Sequence, residues 1–391
     1  MKNWMRFSVA TVGSMLLIAV GVVVYVGCDG NSIVQAPEAA SGKNLLAADE
    51  YQPAESAAAD SSVVYFTSKI TPEGLKAVYE ALIKDNDTMQ PAPNAKVAVK
   101  LSTGEDGSNY LRTPLIKSFI QSLPQANIVE CNVAYGPSIS MPTRRGNTTE
   151  HRKLIKEHGF DSIVTTVIMD SAGYISIPSN SGNNRLKGEN LVGKAFANYN
   201  HYVVLSHFKG HGVAGLGGAI KNISIGIASV EGKMWIHTAG NSKTSWSGGT
   251  QDQFQESMAE AGKAVVDYLK NNRGKILYIN VMNRLSIDCD CIEKSKNAPE
   301  MADIGILSST DPVALDQACV DLVTKVTDGT NKSLLARMKD KNGYLMISHG
   351  AKIGLGSQTY KVVDLDKTTS IKTPERELPQ TGAACKLVRP E

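Results

Sequence analysis

Residues 201–237 read HYVVLSHFKGHGVAGLGGAIKNISIGIASVEGKMWIH, and this stretch decides the fold. Its opening run, Tyr202 to Leu205, is continuous and apolar, the pattern of a buried strand. A turn with His207, Lys209 and His211 follows. Then come Gly212, Gly215, Gly217 and Gly218, ending in Lys221 and Asn222. Glycine lets backbone approach a ligand closely, because no Cβ intervenes. Two imidazoles and two ammoniums in one loop make a cationic surface with metal-binding capacity. In α/β folds, ligands bind outside the carboxyl ends of strands, which is where this loop falls. The plainer alternative is a loop whose glycines only turn the chain and whose histidines are hydrogen-bonded structural residues.

Outward from this stretch, strands alternate with helices. Strands are predicted at Val63–Thr67, Lys96–Leu101, Asn127–Cys131, Ser162–Met169, Ile276–Val281, Ile304–Leu307 and Lys361–Leu365. Helices are predicted from Thr71-Pro72 to Lys84, from Thr113-Pro114 to Ser122, and over Thr149–His158, Gln253–Asn271 and Ser333–Lys339, with another after Asp311-Pro312. A threonine or aspartate cap followed by proline at the first helical position is a start signal, since proline's missing N–H costs nothing there. Gly159 fits a carboxyl cap, and Ser179–Asn190 reads as a polar loop. This alternation makes the class α/β, a largely parallel sheet flanked by helices in one lobe or two.

The chain has 391 residues and is 42% hydrophobic, enough for a real core. Its 41 basic and 38 acidic residues leave a net charge of +3, without the basic excess of a nucleic-acid-binding surface. The first residues carry Lys2 and Arg6, and Ser8–Gly27 is an uncharged, mostly apolar run. That is an export signal or an anchor helix. Its end, Tyr25-Val26-Gly27-Cys28, resembles a bacterial lipobox. Either reading predicts a cell-membrane protein, held by lipid or helix, with its globular part outside the cytoplasm. Residues 29–62 read as a flexible linker, residues 63–366 as the folded domain and residues 367–391 as a tail. The LPQTG at 378–382 lacks the apolar extension of a working sorting signal.

Asp288-Cys289-Asp290-Cys291 is the most informative spacing. In an extended segment both thiols point to one side, half of a soft-metal site. Cys131 and His207 end two other predicted strands, so Cys131, His207, Cys289 and Cys291 are the candidate metal ligands. A disulfide is the competing reading. Apart from Cys28 five cysteines remain, so at least one stays unpaired. No ferredoxin cysteine run occurs, nor a P-loop. His211 can act as base or ligand, and Lys221 can stabilise an anion or form a Schiff base. These two are the candidate catalytic residues. Lys209, Gly215, Gly217, Gly218, Asn222, Lys233 and His237 are the candidate cofactor-binding ones.

Three ordered blocks carry a family resemblance. The first is VECNVAYG, followed by Thr149-Glu150-His151 and His158-Gly159-Phe160. The second is HFKGHGVAGLGGAIKN with its continuation. The third is INVMNRLSIDCDC, followed by DIGILSSTDPVALDQACVDLV. Together they resemble the domain of unknown function 362 family from about Val63 to Asp366. Many members of that family carry a ferredoxin module and are described as iron–sulfur proteins. This chain departs from them there, its cysteines sitting in DCDC instead. His211, Ala214, Gly215, Gly218 and Lys221 also resemble one loop of the nickel-dependent lactate racemase family. In that family the histidine and lysine serve a nickel–pincer nucleotide and its substrate.

The reading is a membrane-tethered extracytoplasmic domain that binds a metal, an iron–sulfur cluster or an anionic cofactor, with redox use among its options. The alternatives are a racemase- or isomerase-like enzyme acting on a small anionic substrate, and a cofactor-binding protein without turnover.

Overall fold

The computed structural model describes residues 62–135, 143–181, 184–291 and 300–367. The leader and Cys28, the linker and the sorting-like motif of the tail lie outside the described residues. In chain order the strands are β1 (Ser62–Thr67), β2 (Val97–Lys100), β3 (Asn127–Glu130), β4 (Thr166–Ile168), β5 (Tyr174–Pro178), β6 (Glu189–Gly193), β7 (His201–His207), β8 (Lys209–His211), β9 (Gly215–Gly217), β10 (Lys275–Met282), β11 (Gly305–Ser309) and β12 (Tyr360–Asp364). The helices are α1 (Pro72–Asp85), α2 (Thr113–Ser122), α3 (Thr148–Glu157), α4 (Ala219–Ser224), α5 (Val230–His237), α6 (Gln251–Asn271), α7 (Pro312–Thr324), α8 (Lys332–Asp340) and α9 (Tyr344–Lys352).

Eight strands form one sheet in the order β12-β1-β11-β10-β7-β2-β3-β4. Strand β11 runs antiparallel to both its neighbours, and the other pairings are parallel. The fold is therefore α/β with a largely parallel sheet. Helices cover both faces, so central strands are apolar on both sides. In β7, Tyr202 and Val204 pack into the core shared with α4, α6 and α7, while Val203 and Leu205 pack toward α1 and α2. That alternation is the period of two in a strand. Every described residue belongs to one compact unit, so the domain is one lobe rather than two.

From β2 the chain moves outward to β3 and β4, then returns on the other side through β7 to β10. Strand order thus reverses between β2 and β7, which opens a crevice at their carboxyl ends.

Several local expectations change. The strand predicted from Ser162 shrinks to Thr166–Ile168, because Phe160–Ser162 takes a 3₁₀ turn after the left-handed Gly159, φ +81°. The polar loop at 179–190 ends inside the β5–β6 hairpin. A further helix that the sequence reading did not predict, α9, follows α8. Thr113 lies inside α2 rather than capping it; Arg112 takes the cap position without a side-chain bond. Thr71 does cap α1, accepting from the Gly74 N–H, and Asp311 caps α7 through the Val313 and Ala314 N–H groups. Among the described residues no helix is long and apolar enough to cross a membrane.

Candidate functional site

The crevice holds a cavity of about 500 Å³, within the size range of small-molecule sites. Lys100 closes β2 beside it, Glu130 closes β3 with Cys131 next in the chain, and Ser206 and His207 close β7. Lys209 and His211 enter from β8, Lys221 and Asn222 from α4, and Lys233 and His237 from α5. Lys233 and His237 are four residues apart on one helix, hence on one face. The 289–291 turn forms a further part of the wall. The two histidine- and lysine-rich segments and DCDC, far apart in sequence, are thus brought together.

Among the described residues Lys100, Arg145, Lys209, Lys221 and Lys233 line the cavity, against the carboxylates of Glu130 and Asp290. Both carboxylates are already engaged. Glu130 accepts from Thr103 N at 3.1 Å, and lies 3.2 Å from His151 Nε2 and 3.3 Å from Arg145 Nη1. Burial alone would raise its pKa, but Arg145, His151 and Lys100 outweigh burial and hold it well below the carboxylate range. Lys100 Nζ donates to Asn222 Oδ1 at 2.8 Å and to Leu101 O at 3.1 Å. Burial brings its pKa down to about 8. Lys233 Nζ donates to Ala228 O.

Lys221 is different. Among the described residues its Nζ meets no acceptor and no carboxylate. Burial, then Lys209 and Lys233, push its pKa down to about 7. Its helix is held from behind by Asp316, whose carboxylate accepts from Ala219 N at 2.7 Å and Ile220 N at 2.9 Å. Asn222 fixes the next turn by donating to Ser206 Oγ at 3.0 Å and to Lys100 O at 3.2 Å.

His207 and Lys209 prove to be fasteners for DCDC. His207 Nδ1 lies 2.9 Å from Asp290 Oδ2, and its Nε2 lies 2.6 Å from Asn283 O. Lys209 Nζ reaches the same Asp290 oxygen at 2.7 Å. With both ring nitrogens occupied, His207 has none to offer a metal. DCDC is also not extended: it turns, and Cys289 is joined to Cys291 by a disulfide. Tyr135 Oη donates to Cys291 O at 2.8 Å, and Glu105 N to Asp290 O at 2.9 Å, which fixes the turn's backbone.

The group that could ligate a metal among the described residues is His211, Cys289 and Cys291. Cys131 and His207 do not join it. Cys131 Sγ donates to Ile227 O at 3.3 Å, and burial pushes its thiol up to about 12. His211 Nδ1 accepts from Val213 N at 3.1 Å and Ala214 N at 2.9 Å. Its ring is neutral, because burial and then Lys221 hold its pKa well below the usual value. The remaining proton is therefore on Nε2, 3.8 Å from Cys291 Sγ. Two sulfurs bonded to each other, one protonated thiol and an imidazole presenting N–H do not fit an iron–sulfur cluster.

The glycines divide by role. A Cβ on Gly217 would come no nearer than 3.8 Å to its neighbours, Lys209 Cε, Lys221 Cδ and Lys209 O, and the residue lines the cavity, so a side chain there has room beside it. A Cβ on Gly218 would strike Asp316 Oδ1 at 2.3 Å, so its reason is the helix-holding carboxylate. Gly215 lies outside the cavity lining, in the left-handed turn (φ +79°) of the β8–β9 hairpin.

His237 stacks on Phe254 at 4.1 Å between ring centroids and meets Trp246 edge-on at 4.9 Å. Burial, then Lys221, brings its pKa down to about 3, so it is neutral. Sequence reasoning missed Lys100, Glu130, Arg145, Asp316 and the aromatic wall. Lys100 carried a usable signal, a charged residue closing an apolar strand as His207 does. Glu130, beside Cys131, carried the same one.

No curated protein matches the chain. Among solved structures it is similar to the lactate racemase apoprotein from Thermoanaerobacterium thermosaccharolyticum, at TM-score 0.36 and 15% identity over 56% of this chain. It is also similar to a structural-genomics protein from Thermotoga maritima, at TM-score 0.35 and 11% identity over 68% of this chain. The chain spans 50% of the first protein's length and 58% of the second's. A family model matches residues 97–321, from β2 to near the end of α7 and so across the whole cavity. The chain belongs to that family, described as Domain of unknown function (DUF362).

Proposed function

We propose that this chain binds a small anionic molecule or anionic cofactor in the cavity at the ends of β2, β3 and β7. Lys221 carries the reading. It is an ammonium among other cations, half-buried on the cavity wall, without a protein acceptor among the described residues. A charge partly withdrawn from water and set among other cations is costly unless something pairs with it, and a carboxylate or phosphate would do so. Lys209 and Lys233 add to the field, and the apolar ring faces of His237 and Trp246 suit the non-polar part of such a guest. The test is thermal denaturation with inorganic phosphate, pyrophosphate and lactate, beside native mass spectrometry of protein purified without oxyanion buffers. A ligand at a hundredfold excess over its Kd should stabilise by about 2.7 kcal/mol. No stabilisation by any of the three, and no co-purifying mass, would sink the reading.

A second reading, a racemase- or isomerase-like enzyme on a small anionic substrate, is favoured by the same amine. With its pKa near 7, Lys221 can give or take a proton at neutral pH. A binding protein without turnover needs only its charge.

We also propose that residues 1–28 hold the domain at a membrane, by lipid on Cys28 or by an uncleaved helix. The apolar run Ser8–Gly27 and the lipobox-like Val26-Gly27-Cys28 support this. Cells fed a labelled fatty acid should label the wild-type chain and not Cys28→Ala; equal labelling of both would leave the helix reading.

A further inference from the structure

We propose that Cys289 and Cys291 form a two-electron dithiol–disulfide centre opening onto the cavity. The pair encloses a single residue. Cross-linking so short a loop removes little entropy from the unfolded chain, so it does little as a structural brace. Its position suits chemistry better. Cys291 is half-buried on the cavity wall while Cys289 is buried, so one sulfur is presented to an incoming thiolate. His211 directs Nε2–H toward Cys291 Sγ at 3.8 Å, because its Nδ1 is held by two backbone N–H groups. A donor so placed is available to a thiolate on Cys291 and less useful to a disulfide sulfur.

The turn does not depend on the S–S bond for its shape. Asp290 is gripped by His207 and Lys209, and the carbonyls of Asp290 and Cys291 accept from Glu105 N and Tyr135 Oη. Opening the bond therefore leaves both sulfurs near where they were. The other described cysteines, Cys131 and Cys319, are buried thiols whose pKa burial raises, so neither competes for exchange.

The partner is a dithiol reductant. One of its thiolates attacks Cys291 Sγ, forming a mixed disulfide as the Cys289–Cys291 bond breaks and Cys289 leaves as thiolate. The reductant's second thiolate then attacks its own sulfur in the mixed disulfide, and Cys291 leaves as thiolate beside His211. The reductant ends as a disulfide, two electrons poorer. Of the two protons its thiols give up, one goes to Cys289 and one to solvent. The step runs in reverse when a disulfide is the oxidant. It stands apart from the anion reading, since it needs only the sulfurs and His211.

The full chain is equilibrated in graded mixtures of reduced and oxidised dithiothreitol, alkylated and digested with trypsin. The peptide of residues 285–294 carries both cysteines. It should gain two alkyl groups together, reversibly, while Cys131 and Cys319 stay unlabelled and the circular dichroism of the folded chain is unchanged. His211→Phe removes the N–H and should lower the equilibrium constant for reduction about tenfold, about 30 mV for two electrons. His211→Gln, which keeps an N–H, should recover part of that. If His211→Phe fails to fold, the wild-type titration still decides. A pair that stays oxidised until the chain unfolds, or whose reduction unfolds it, overturns the proposal. So does a reduced pair that takes up one equivalent of zinc and no longer exchanges with thiols.

Discussion

Asp290→Ala should cost about 3–5 kcal/mol of stability, the range for removing one partner of a buried charge pair. The carboxylate lies 2.7 Å from Lys209 Nζ and 2.9 Å from His207 Nδ1. Burial alone would raise its pKa, but Lys209 and then His207 hold it well below the ordinary carboxylate value. Alanine strands an ammonium inside the cavity wall and frees one nitrogen of His207. The sign with pH follows from the lowered folded-state pKa. The stabilisation is complete above the unfolded value near 3.8 and is lost as pH falls below it. Urea unfolding at pH 7 and at pH 3 measures both. Wild type should lose stability between them by more than Asp290→Ala does. A loss under about 1 kcal/mol at pH 7 would mean that other contacts hold the 289–291 turn.

Lys221→Met should weaken anion binding by about 10–100-fold, the loss of one charge-assisted hydrogen bond. The same substitution should make the empty protein more stable, because methionine removes a charge that burial penalises. The folded-state pKa is lowered from 10.5 to about 7. Between those values the unfolded chain binds more protons, so the wild type gains stability as pH rises through that window. The advantage of Lys221→Met is thus greatest at pH 7 and below and fades toward pH 10.5. Anion affinity in the wild type should fall as pH rises through 7 and stay flatter in the variant. Calorimetric binding and thermal melts at pH 6, 8 and 10 read both trends. If an enzyme reading is right, turnover of the anionic substrate disappears in Lys221→Met while the fold stands. A variant that binds as tightly as wild type, with an unchanged pH profile, would take Lys221 out of the site.

How legible this was depended on burial. The run from Tyr202 to Leu205 announces itself because β7 is covered on both faces, so every residue must be apolar. The placing of the site at strand ends followed from class alone. Less visible was what each polar residue pairs with. Lys209 and His207 look like ligand-binding groups in sequence, yet both bond to Asp290, far along the chain in another crossover. Gly218 looks like a ligand-approach glycine, yet its neighbour is Asp316 on α7. Glycine and charge patterns are local, and these pairings are set by the sheet order. A disulfide stood among the sequence alternatives, without its pairing, which the structure gives as Cys289–Cys291. What could not be chosen was its local shape, because the expectation of an extended segment ignored the turn that Tyr135 and Glu105 hold in place.

The edge of the sheet carries a mechanical consequence. Strands β1 and β12 lie side by side and parallel, paired from Ser62–Tyr360 through Phe66–Asp364. The described segment therefore begins at one end of this ribbon and finishes at the other, about five residues or roughly 16 Å along the strand direction. Tension applied between residues 62 and 366 acts along the strands. It loads the ribbon's hydrogen bonds in shear, together, instead of peeling them one by one. Strand β11 buttresses the inner side of β1, with Tyr65 opposite Ser308 and Thr67 opposite Ile306. A pull on the two ends thus meets the sheet in its stiff direction, and the cavity, beside β7 and β2 beyond β11 and β10, lies outside the line of load.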